Sequence, residues 1–102
     1  MIIELTGDQS EWIEHILEGW KHQSLAERFA DGATKVLVTE TEVHLVIDPL
    51  AEEQLRLEHH VDEMKDDDEL KEGEEWDLEV VSSAIFSLKS QLKGGKPVAP
   101  KE

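Results

Sequence analysis

Met1-Ile2-Ile3-Glu4-Leu5 opens the chain as a short β-favouring run, and Thr6-Gly7-Asp8 interrupts it before the spacing of apolar residues changes. Trp12, Ile13, Ile16, Leu17 and Trp20 then recur every three to four positions. That is the period of one helical face, and it predicts a helix over about 9–22 with these side chains toward a core. Asp8 followed by Glu11 has the form of a capping box at its start. Continuing the helix would carry Phe29 almost opposite the apolar face. A break near His22 or Gln23 is therefore expected, with a second short helix at about 25–31 begun by Ser24 and Glu27 and closed by Asp31-Gly32.

The stretch from Lys35 to Asp48 is rich in β-branched residues, with Val36, Leu37 and Val38 separated from Val43 to Ile47 by Thr39-Glu40-Thr41-Glu42. This predicts strands at about 35–40 and 43–48 joined as a hairpin, or one long bent strand. Asp48-Pro49 reads as a helix start, since proline at the first helical position forfeits an N–H that has no partner there. A stripe of Leu50, Leu57, Val61 and Met64 follows, predicting a helix over about 49–64. Lys65 to Gly73 is read as a polar connection. Leu78, Val81, Ile85, Leu88 and Leu92 define the buried side of a last helix, about 74–93, with acids at its start and Lys89 and Lys93 near its end, which suits the helix dipole.

These elements predict an α+β domain, 1–93, in which helices pack on one face of a small two- or three-stranded antiparallel sheet (2–5, 35–40, 43–48). Gly94-Gly95 stops the last helix, and 94–102 is expected to be a disordered tail. Cysteine is absent, which removes disulfides and thiolate metal sites and leaves packing to hold the core.

Charge alters the picture most. The 102 residues hold 25 acids and 10 bases, a formal net charge of −15. Direct nucleic-acid binding and polybasic membrane attachment both need clustered cations, so neither is expected. No apolar run approaches a bilayer-spanning length and the start lacks the pattern of a signal peptide, so a cytoplasmic protein is expected. The charge is concentrated: residues 52–79 hold 14 acids and only Arg56, Lys65 and Lys71 as bases, or −11. Asp66, Asp67, Asp68, Glu69, Glu72, Glu74, Glu75 and Asp77, with Trp76 as an anchor, are the candidate contacts of an acidic helix-loop-helix with a basic protein partner. A nucleic-acid-binding protein, countered by mimicry of a phosphate backbone, is one such partner. The competing reading is a solvated face that keeps the protein soluble.

Other constellations carry less. The consecutive acids 66–69 lack the spacing of a calcium-binding EF-hand loop. Glu11, His15, Glu18 and His22 fall on one side of the first predicted helix and are weak metal-ligand candidates, with a water-facing strip of Glu–His pairs as the plainer account. His59 and Glu63 form a similar pair, and His44 is expected on the less buried face of the hairpin. Walker, Rossmann, His-Glu-x-x-His and Gly-x-Ser-x-Gly signatures are all missing, so no cofactor and no enzymatic role are expected. Trp76, Val80, Ser83 and Ser87 form a second face of the last helix. That face is either a homodimer seam or apolar groove, as an acidic chaperone or assembly factor would use, or packing within the domain itself. Monomer and homodimer stay undecided.

Overall fold

The computed structural model describes residues 1–63 and 68–100, with 68–72 described as backbone. The expected α+β class is observed. Strands β1 (Ile2–Glu4) and β2 (Lys35–Leu37) pair antiparallel, with Ile3 opposite Val36 on the inner face and Ile2 opposite Leu37 on the outer. Ile3 and Val36 are buried, whereas Ile2 and Leu37 are 64% and 69% exposed, so the helices cover only one face of the sheet. That difference is the period-two alternation of a half-buried strand pair.

The cap of helix α1 (Gly7–Gly19) lies two residues before the expected one. Thr6, not Asp8, is the N-cap, and its hydroxyl accepts from the Gln9 N–H while Gln9 Oε1 accepts from the Thr6 N–H. Glutamine serves at the third position as well as glutamate does. Ile13, Ile16 and Leu17 are buried as expected, but Trp12 is only partly so and Trp20, at the C-cap, is 49% exposed. Lys21 takes a left-handed φ of 63° and turns the chain into a short helix α2 (Gln23–Ala26) and a 3-10 segment, Glu27–Gly32. The short helix expected at 25–31 is thus divided. Its closing glycine is borne out: Gly32 has φ 66°, and its backbone comes close enough to Gly7 that an added Cβ would sit 3.6 Å from the Gly7 Cα.

The expected hairpin is corrected. Residues 43–48 are not a strand, and the helix read as starting at 49 starts nine residues earlier: α3 runs Glu40–Glu63 with Pro49 inside it. Two signals explain this. Thr39 Oγ1 accepts from the Glu42 N–H (3.1 Å) and Glu42 Oε1 accepts from the Thr39 N–H (2.9 Å), a capping box in the residues read as a turn. Val43, Val46, Ile47 and Leu50 are all buried, a spacing that only a helix satisfies, while Leu45 between them is 42% exposed. Tertiary burial therefore overrides β-propensity. His44, expected on a hairpin, lies on the exposed side of α3.

Helix α4 (Asp68–Leu92) also begins earlier than 74, so 68–73 belongs to the helix and not to a connection. It packs most extensively against α3, with Gln54 Nε2 donating to Ser82 Oγ at 3.0 Å between them. The core joins both strands, all four helices and Phe29 into one cluster. Among the described residues no helix is long and apolar enough to cross a membrane.

Candidate functional site

The acidic face occupies the C-terminal half of α3 and the N-terminal half of α4. Asp66 and Asp67 lie outside the described residues, while Asp68, Glu69 and Glu72 are placed by backbone on the first turns of α4. Glu74, Glu75, Trp76 and Asp77 follow one turn on. Across from them, α3 exposes Glu52, Glu58, Asp62 and Glu63, with Glu53 half-buried.

Among the described residues, Arg56 is the basic group beside these acids. Its Nε donates to Glu53 Oε1 at 3.0 Å and a guanidinium nitrogen pairs with the same oxygen. That hydrogen bond, with the fields of Glu74 and Asp77, pushes the guanidinium pKa up. One cation thus serves three nearby carboxylates. The remainder shows in Asp77, whose carboxyl is pushed above its usual range by burial first, then by the like charge of Glu74 and, more weakly, Glu53, against the pull of Arg56. Glu74 Oε2 is buried and has no hydrogen-bond partner among the described residues. Trp76 stands 37% exposed between these two acids. A groove of about 320 Å3 adjoins the cluster between α1 and α3, lined by Trp12, His15, Trp20, Glu53 and Arg56 among others. Trp12 and His15 meet there edge to face, with ring centroids 6.3 Å apart.

The weak metal candidates are not brought together. Glu11, His15 and Glu18 are on α1, but the left-handed turn at Lys21 moves His22 off that helix to cap α2. Among the described residues no three His, Asp or Glu side chains form a metal-binding group. His59 and Glu63 are exposed on α3.

The second face of α4 packs within the domain. Val80, Ser83 and Ser87 are buried. Gln9, fully buried although polar, reaches them from α1: its Nε2 donates to Ser83 Oγ (3.0 Å) and to the Val98 carbonyl (2.8 Å). Ser87 Oγ accepts from the Val98 N–H (2.9 Å) and from Gln91 Nε2 (3.0 Å). Gln91 in turn pairs with both backbone groups of Glu4, taking its N–H at 2.7 Å and donating to its carbonyl at 2.8 Å. The side-chain amide does for β1 what another strand would do at an open edge. Of the segment 94–102, expected from sequence to be a disordered tail, residues 94–100 run back along this face, and 101–102 lie outside the described residues. Sequence reasoning missed the network because glutamine and serine carry no burial signal in an apolar pattern, and only their spacing (Ser83, Ser87, Gln91 at i, i+4, i+8) marks them as one row.

No known protein family matches this chain, and neither a curated protein nor a solved structure is significantly similar to it.

Proposed function

We propose that the protein is a non-enzymatic binding module whose acidic α3–α4 end engages a basic protein partner. The observation that carries this reading is the concentration of 14 acids against three bases between residues 52 and 79, set on two helices packed side by side. Self-repulsion of this kind costs stability, and the raised Asp77 carboxyl and the Glu74 oxygen, buried without a hydrogen-bond partner among the described residues, are its local signs. A cationic surface brought against these helices would relieve both.

Successive carboxylates along helical turns resemble the regular charge of a nucleic-acid backbone, so a nucleic-acid-binding protein, held in check by mimicry as an immunity or counter-defence protein would hold it, is the partner class that suits the pattern. A cytoplasmic setting goes with that role. The contacts are Asp66, Asp67, Asp68, Glu69, Glu72, Glu74, Glu75 and Asp77, with Trp76 as the apolar anchor.

The test is affinity capture from host lysate at about 0.1 M and about 0.5 M salt, spanning screening lengths from ~10 Å to a few ångström. Wild type is compared with the triple variant Glu74→Lys, Glu75→Lys, Asp77→Lys. A basic protein retained by wild type at low salt, released at high salt and ignored by the variant supports the proposal. Equal retention by both proteins at high salt overturns it in favour of an apolar contact, and no salt-sensitive partner at all leaves the charge as a solubilising face.

A further inference from the structure

The tail 94–100 is held in a way that separates its backbone from its side chains. Gly94, at φ 79°, and Gly95 reverse the chain, and the Gly95 N–H donates to the Ser90 carbonyl at 2.8 Å. A Cβ on Gly95 would stand 2.5 Å from Ser90 Oγ, so only glycine lets the chain double back this tightly. Ser90 Oγ then donates to the Lys96 carbonyl (3.0 Å), Ser87 Oγ accepts from the Val98 N–H, and Gln9 Nε2 donates to the Val98 carbonyl. Gln9 and Ser87 are both fully buried with the tail in place, and each is also held from the domain side, Gln9 by Ser83 and Ser87 by Gln91. Both backbone groups of one residue, Val98, are gripped, as in a peptide-binding groove.

The side chains are held loosely by contrast. Pro97 and Ala99 are exposed, and Val98 is only half-buried. A cleft of about 330 Å3 stays open beside Pro97, Val98 and Ala99, walled by Leu5, Thr6 and Thr34. The tail is therefore a ligand that satisfies the groove's polar atoms and underfills its apolar space. It also carries a positive charge on an acidic protein, Lys96, just after Lys93 at the end of α4.

We propose that this groove is a peptide-docking site occupied in cis by the chain's own tail, and that its trans ligand is an extended apolar segment flanked by proline and lysine, with the chemistry of residues 96–100. This goes beyond the acidic α3–α4 reading and does not depend on it. A partner protein is favoured over a second copy because two chains of charge −15 repel, while the short Gly-Gly return keeps each tail on its own groove.

The probe is a fluorescent peptide, Lys-Pro-Val-Ala-Pro, titrated by anisotropy into full-length wild type and full-length Val98→Pro, which loses the N–H that Ser87 holds. The peptide should bind Val98→Pro at least about tenfold more tightly than wild type, where it competes with a tail at an effective concentration on the order of mM. Binding should disappear when Ser87→Ala is added, and when the peptide's valine is N-methylated. The proposal is overturned if folded Val98→Pro binds no peptide up to about 1 mM, a concentration chosen to match that effective concentration. It is equally overturned if the N-methylated peptide binds as well as the parent, or if Val98→Pro does not fold, since a strap required for folding is not displaceable. A wild-type dimer in sedimentation that Val98→Pro abolishes would assign the groove to a second copy's tail and overturn it too.

Discussion

The two halves of α4 treat polar groups in opposite ways. Toward its C-terminus Ser83, Ser87 and Gln91 are joined to Gln9, Glu4 and Val98 in one connected run of hydrogen bonds, every one between 2.7 and 3.0 Å. Toward its N-terminus Glu74 and Asp77 share one guanidinium with Glu53, and one carboxylate oxygen is buried without a hydrogen-bond partner among the described residues. Buried neutral polar groups stabilise when every donor and acceptor is met, and carboxylates in excess of cations do not. Among the described residues one half of the helix closes its polar network within the chain, whereas in the other three carboxylates share the guanidinium of Arg56. That is the asymmetry expected if stability is invested in one end and recognition in the other.

The largest break in this comparison comes from Gln9→Ala. It deletes two donated bonds and the reciprocal cap on Thr6 and leaves Ser83 Oγ and the Val98 carbonyl short of a donor. Net hydrogen bonds contribute about 1 kcal/mol each, and unmet buried groups cost about 1–3 kcal/mol. A loss of about 2–4 kcal/mol in urea denaturation is expected. A loss under about 0.5 kcal/mol, the scale of an ordinary surface substitution, would show that the network is ornamental and that both halves of α4 are equally indifferent to their polar groups.

How much of this was legible beforehand depends on which signal a residue carries. Ile13, Ile16 and Leu17 on α1, and Val81, Ile85 and Leu88 on α4, were readable because periodic burial is written directly in the order of apolar residues. Val43 to Ile47 carry two signals that disagree, a β-branched composition that favours a strand and a spacing that favours a helix, and burial follows the spacing. The Thr39–Glu42 cap would have decided the matter, since it is the same threonine-to-acid spacing that begins many helices. Pro49 misled for a related reason. Proline at a helix start is common, but a helix already anchored by Val43, Val46 and Leu50 carries it inside. The acidic face was legible in its extent, because charge adds up along the sequence. Its particular imbalance, with Arg56 shared among Glu53, Glu74 and Asp77, depends on how α3 lies on α4 and no linear pattern records that.

Two acids sharpen the contrast with smaller effects of opposite sign. Asp77 has its pKa raised in the folded state by burial and by Glu74, so the native protein holds its proton more tightly than the unfolded chain does. Stability from this group is present at low pH and is lost as pH rises from the ordinary aspartate pKa through the raised folded one. Asp77→Asn should therefore stabilise the protein at pH 7, by less than about 1 kcal/mol as befits a partly solvated charge, and the gain should vanish as pH falls below about 4. Glu42 behaves in reverse. The Thr39 N–H first, and then Arg28 at 2.5 Å, hold its carboxyl below the usual range, so its contribution is present above the unfolded glutamate pKa and is lost as pH falls through the folded one. Glu42→Gln should destabilise at pH 7 and converge on wild type in acid. Thermal melts of both variants from pH 3 to pH 8, a span that brackets the ordinary carboxylate range, decide the matter. If Asp77→Asn destabilises at pH 7 as Glu42→Gln does, then Asp77 has found a partner, the imbalance at the start of α4 is already settled within the chain, and the reading of that end as open loses its physical basis.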